Sequence, residues 1–117
     1  MRRSLTKNQI IRLKADIDNV FKAGKRYSLS CFTLLVADNG LSYSRIIVIP
    51  VKHYGNSVQR NHIRRQVKEI WRINQDKIAH GWDFAVVVRP MHEKDLSFEE
   101  KENILFDLFR KSGSYLS

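Results

Sequence analysis

Just before Pro90 the chain reads Asp83-Phe84-Ala85-Val86-Val87-Val88-Arg89. Five consecutive apolar residues, three of them valine, have the composition of a strand. Successive strand side chains point to opposite faces, so this strand is apolar on both. Such a strand belongs at the centre of a sheet rather than at its margin. Gly81 precedes it, and Pro90, with no N–H to give to a ladder, ends it. Whatever else the chain does, it must build a sheet around residues 83–89.

Strand-forming residues for that sheet lie upstream. Tyr27 to Ala37 and Tyr43 to Val51 are rich in aromatic and β-branched residues, and Asp38-Asn39-Gly40 between them has hairpin chemistry. The pattern predicts an antiparallel pair, with a short extra strand near Tyr27. Ala15 to Ala23 reads as a short helix with Leu13, Ile17, Val20 and Phe21 on one face and Gly24 as its stop. Asn56 is a predicted N-cap for a helix running to Trp71. Ser97-Phe98-Glu99-Glu100 is a capping box opening a last helix with Ile104, Leu105, Leu108 and Phe109 at helical spacing. The order is αβββαβα. The predicted class is α+β, a two-layer sandwich of one mostly antiparallel four-stranded sheet with helices packed on it. At 117 residues, a single domain over 1–117 is expected, with 1–12 as an extended basic arm. Trp71, Trp82 and Cys31 read as packing residues.

The charge is unevenly placed. The formal net charge is +9. Residues 1–26 carry eight Lys and Arg against two Asp, and residues 52–72 carry six against Glu69 alone. Residues 73–117 are slightly acidic. Two cationic segments, rather than an even spread, point to a polyanionic partner. No apolar run approaches the roughly 20 residues that span a bilayer. The opening Met1-Arg2-Arg3-Ser4-Leu5 leads into polar residues rather than a signal-peptide core, and Cys31 is alone. A cytoplasmic protein without membrane attachment is expected.

The second cationic segment has a face. At about 100° per residue, Ile63, Val67, Ile70 and Trp71 share one arc and face the core. Arg60, Arg64, Lys68 and Arg72 run down the adjoining side with Asn61 and Arg65, while Gln59, His62, Gln66 and Glu69 take the other flank. Like charges at i, i+4 repel, and an external anion offsets that repulsion. Arginine suits bidentate phosphate contact. The preceding loop, Lys52-His53-Tyr54-Gly55-Asn56, adds donors where a helix N-terminus already favours phosphate.

The string Lys52-His53-Tyr54-Gly55-Asn56-Ser57-Val58-Gln59-Arg60-Asn61-His62-Ile63-Arg64-Arg65 resembles the signature of the bacterial ribonuclease P protein subunit. Val20-Phe21-Lys22-Ala23-Gly24 is similar to the end of that family's first helix, and residues 83–90 to its last strand. The resemblance implies a protein cofactor of an RNA enzyme, with no catalytic side chain in this chain. It implies two partners, the ribonuclease P RNA and precursor tRNA, and no small-molecule substrate. The RNA subunit would remove the 5′ leader with Mg²⁺ that it mainly binds itself, the protein side chains alone holding no metal. It also implies a left-handed βαβ crossover, as in domain 2 of ribosomal protein S5, where the general rule is right-handed. Carried over by position, Lys52, His53, Asn56, Arg60, Asn61, His62, Arg64, Arg65 and Lys68 are expected on the RNA subunit, with Gly55 in the same loop. Ile17, Phe21, Phe32 and Leu35 are expected on the leader. His62 and His53 stand where the family pattern has fixed cations.

Two other readings fit the electrostatics. One is a non-catalytic ribosomal or other structured-RNA-binding protein. The other is a protein-only nuclease using His53 and His62 as acid and base, although no carboxylate lies near either in sequence. The four histidines, His53, His62, His80 and His92, lack metal-ligand spacing, and Asp16 and Asp18 point away from each other on a helix.

Overall fold

The computed structural model describes residues 9–90 and 96–113. The elements are α1 (Lys14–Ala23), β1 (Lys25–Leu29), β2 (Phe32–Asp38), β3 (Arg45–Pro50), α2 (Ser57–Asn74), β4 (Trp82–Val88) and α3 (Phe98–Lys111), with a short 3-10 turn at Gln75–Lys77. The order is the αβββαβα expected from sequence, in an α+β fold with one mixed sheet. No helix among the described residues is long and apolar enough to cross a membrane.

The sheet runs β1-β2-β4-β3. The doubly apolar strand is central: β4 pairs antiparallel with β2 and parallel with β3. One face of the sheet, including Phe32, Leu34, Ile46, Val48, Phe84 and Val86, packs on α2 and α3. There Phe84 and Phe109 meet edge to face, centroids 5.2 Å apart and planes at 86°. The opposite face is shared by Leu35, Ala37 and Ala85, covered by Val20 of α1 and by Ile11. Trp71 and Cys31 are buried as expected, and Trp82 packs partly buried against the α2/α3 face.

The expected antiparallel pairing between the strands on either side of Asp38-Asn39-Gly40 is corrected. β2 and β3 do not touch in the sheet, because β4 lies between them. A strand apolar on both faces is most stable with both edges paired, and these are the two edges it takes. Asp38-Asn39-Gly40 still turns the chain, held by Gly40 N–H on Asp38 Oδ1 (2.9 Å) and Leu41 N–H on Asn39 Oδ1 (2.8 Å). The true hairpin joins β1 to β2, with Leu29 opposite Phe32 and Ser30 at φ 56° in the turn.

Two local expectations also change. Gly24 stops α1 without a left-handed turn, since its backbone is extended at φ −73°. Its N–H donates to Val20 O at 2.9 Å, and a Cβ there would lie 2.2 Å from that oxygen, so close approach demands glycine. The supposed face of α1 is split: Val20 is buried, Ile17 half-buried, and Leu13 and Phe21 stand exposed. Of the expected basic arm, residues 1–8 lie outside the described residues, as does His92. Residues 10 and 11 are not free: Ile10 bridges Ile46, Ile11 N–H donates to Ile46 O at 3.0 Å, and the Ile11 side chain is buried.

Candidate nucleic-acid interface

The sequence of α2 sets its boundaries and its faces. Asn56 Oδ1 accepts from Gln59 N–H at 2.9 Å, and Gln59 Oε1 accepts from Asn56 N–H at 3.0 Å, a reciprocal cap. Gly55, at φ 151°, admits this closure: a Cβ would lie 2.3 Å from Gln59 Oε1. Ile63, Val67, Ile70 and Trp71 are buried as the periodicity requires, so the polar flanks face outward.

The cations of α2 divide into three groups. Arg64 and Lys68 join Arg12 along a groove of about 490 Å³ between residues 10–12, β3 and α2. Arg64 is steadied by Asn61, its guanidinium donating to Asn61 Oδ1 at 3.0 Å. Burial holds the Lys68 ammonium below the usual lysine range, and the like charges of Arg64 and Arg12 push it further down. Arg60 lines the same groove but, like Arg72, is bound within the protein. The Arg60 guanidinium donates to Val51 O and, at 3.1 Å, to Pro50 O, closing the end of β3. Arg72 is bound twice by Glu69, at 2.6 Å each, which draws the Glu69 carboxyl below its ordinary range. The expected row of four equivalent cations is therefore two available ones and two committed ones. Arg65 forms the third group with His62: both are exposed and line a second groove on the other flank.

Lys52 and His53 are exposed on the loop before α2. Asn56 sits beside them, with its side-chain oxygen used by the cap. Among the described residues no three His, Cys, Asp or Glu side chains converge to hold a metal ion.

The leader positions separate sharply. Ile17 is half-buried and Phe21 is 40% exposed. Phe32 and Leu35 are 0% and 1% exposed, in the cores on opposite faces of the sheet, and are corrected: neither has surface to offer a ligand. Sequence reasoning missed Ile47 and Val87, half-buried and packed at the edge of the α1-side core. The signal was available in the period-2 alternation, since Ile47, Ala85 and Leu35 lie side by side across the sheet. Also missed was what holds α1 in place. Arg45 donates to both carboxylate oxygens of buried Asp83 (2.8 and 2.6 Å) and reaches Asp16 of α1 at 3.3 Å.

The mixed sheet, with its parallel strands joined by a cationic helix, defines the chain as a small basic α+β protein. Within it, the ribonuclease P family profile matches residues 5–113. The ribonuclease P protein component of Thermotoga maritima is 37% identical over 106 residues, covering 91% of this chain and 86% of that one. A Thermotoga maritima ribonuclease P protein structure superposes with a TM-score of 0.77 at 29% identity, over 86% of this chain and 94% of that one. A Staphylococcus aureus ribonuclease P protein shares the fold at a TM-score of 0.81 and 23% identity, over 92% and 97%. The chain belongs to the ribonuclease P protein family.

Proposed function

We propose that this chain is the protein subunit of a ribonuclease P ribonucleoprotein, binding the catalytic RNA and the 5′ leader of precursor tRNA during tRNA 5′-end maturation. The observation that carries this reading is the convergence of Arg12, Arg64 and Lys68 on one groove. None of the three makes an ion pair with a described carboxylate, and Lys68 keeps its proton at a cost. A phosphate backbone in that groove relieves the repulsion and stabilises the charged lysine. Family membership supports the ribonuclease P RNA as that polyanion.

The residues then divide their tasks. Arg64, Lys68 and Arg12 neutralise phosphates of the RNA subunit, and Asn61 keeps Arg64 extended toward them. Lys52, His53 and Arg65 extend the contact along the same helix and its leading loop. Ile17 and Phe21, on the far face of the sheet, offer apolar contact to the single-stranded leader. No protein side chain takes part in bond breaking. Mg²⁺ would be held mainly by the RNA, where it would supply charge neutralisation at the scissile phosphate.

Reconstitution tests this. With ribonuclease P RNA, the protein should raise precursor-tRNA cleavage at low Mg²⁺ well above that of RNA alone. Equal cleavage with and without the protein would refute the reading. So would cleavage by the protein alone, and its loss in His53→Ala or His62→Ala would identify those histidines as its acid and base.

A further inference from the structure

The flank of α2 away from Arg64 and Lys68 has a construction of its own. It forms one wall of a groove of about 710 Å³ whose other wall is the start of α3. That volume is within the range of small-ligand sites, about 300–1,000 Å³. Two of the exposed large apolar side chains border it: Val58, 75% exposed, and Phe98, 36% exposed.

Apart from His62, whose ring can donate or accept, the polar side chains along the α2 wall present donors, and two of them are held that way. Gln66 Oε1 accepts from the Lys101 ammonium at 2.6 Å. Lysine can only donate, so the carboxamide is fixed with its oxygen toward Lys101 and its NH₂ left for the groove. Gln59 repeats the arrangement, its oxygen taken by Asn56 N–H at 3.0 Å. Both glutamines line the groove, seven residues apart and so about 10 Å along the helix. Arg65 lies on the rim between them with five more N–H groups. Glu69, the carboxylate of the groove's shallow extension, is bound by Arg72.

A wall of donors beside apolar side chains fits a particular chemistry. A peptide brings donors and acceptors in alternation and would find few acceptors here for its own N–H groups, His62 being the one α2 side chain able to supply one. A nucleotide brings acceptors, on its phosphate and on base carbonyl and ring nitrogen atoms, together with a face that stacks. The groove lies on the α2 and α3 side of the sheet, whereas Ile17 and Phe21 are on α1 across it. We propose that this groove receives an unpaired nucleotide of the catalytic RNA subunit, its base against Phe98 and Val58, its acceptors toward the Gln59 and Gln66 amides, and its phosphate toward Arg65. The inference rests on the chain being a ribonuclease P subunit.

The test is affinity for ribonuclease P RNA, without precursor tRNA, as a function of salt. Gln66→Glu keeps an acceptor for Lys101 and turns the groove-facing donor into an anion, so it should fold normally while binding RNA at least tenfold more weakly. Asn103→Glu, at an exposed position of α3, adds the same charge elsewhere and is the reference. Phe98→Ala should weaken binding roughly 5- to 100-fold with an unchanged salt slope, and thermal melts separate this from unfolding. Benzoylphenylalanine in place of Phe98 should crosslink to an unpaired nucleotide of the RNA subunit. Binding of Gln66→Glu within about twofold of the Asn103→Glu reference overturns the proposal, as does crosslinking that, in holoenzyme with precursor tRNA added, goes only to the leader or to a second protein copy. If the unaltered protein fails to bind ribonuclease P RNA, the underlying functional reading falls with it. If it binds and only the groove variants are silent, that reading stands and the groove assignment alone is wrong.

Discussion

In an Arg60→Ala protein, the carbonyl oxygens of Pro50 and Val51 lose the guanidinium that closes the end of β3. Hydrogen bonds from a charged donor contribute roughly 1.5–3 kcal/mol each where water cannot replace them. Pro50 is buried but Val51 only half so, and water can reach the second carbonyl. A loss of about 2–3 kcal/mol follows. For a chain of this length each kcal/mol moves Tm by roughly 3–5 °C, so Tm should fall by about 6–15 °C. Arg64→Ala, one turn further along, removes an exposed donor held only by Asn61. It should leave Tm within about 2 °C and lower the salt slope of RNA binding by about 0.7–0.9. Thermal melts by circular dichroism and RNA titrations from low to moderate salt measure both quantities on both variants. An unchanged Tm in Arg60→Ala, with a slope reduced as much as in Arg64→Ala, would show that Arg60 reaches phosphate and that its place at the strand end is wrong.

Glu69→Gln should release Arg72 and steepen the salt slope of RNA binding by up to about 0.7–0.9. Because Arg72 holds the Glu69 carboxyl low, the pair stabilises the fold above the ordinary glutamate range and loses that effect as pH falls through the lowered value. The same variant should therefore flatten the acid limb of a Tm-against-pH curve. Gly24→Ala should cost about 1–3 kcal/mol in thermal denaturation, since its Cβ meets the Val20 carbonyl. Phe21→Ala should leave Tm nearly unchanged while weakening precursor tRNA relative to mature tRNA in the holoenzyme. Phe32→Ala, at a fully buried position, should cost about 3–5 kcal/mol instead.

What could be read from the amino acids alone was what is local or periodic. Asn56 and Ser97 announce their helices through residues three positions on, and the 3.6-residue period of Ile63, Val67 and Ile70 needs no knowledge of the partner. Phe84 to Val88 declare a central strand by composition. Pairing is not local, and there the reading failed: Asp38-Asn39-Gly40 turns the chain as its chemistry says, yet which strands become neighbours was decided by β4, more than forty residues later. Phe32 and Leu35 failed for a simpler reason. Three residues apart in a strand lie on opposite faces, so they could not share one cleft, and this sheet is covered on both sides. The commitment of Arg60 was invisible because its acceptors are brought to it by the loop between β3 and α2.

The helix that carries the cations is also the only covalent route from β3 to β4. Arg45 and Asp83, partners in the parallel pair, are 38 positions apart, with all of α2 between them. A chain ending before residue 82 would hold every arginine of that helix and lack its second anchor, while β2 and β3 kept open edges. Until β4 is made and inserted, the strand that follows α2 has no place in the sheet, and β2 and β3 lack the neighbour they share. Any polyanion that prefers the completed fold favours chains with a finished sheet, and its binding energy is added to the stability of the whole domain.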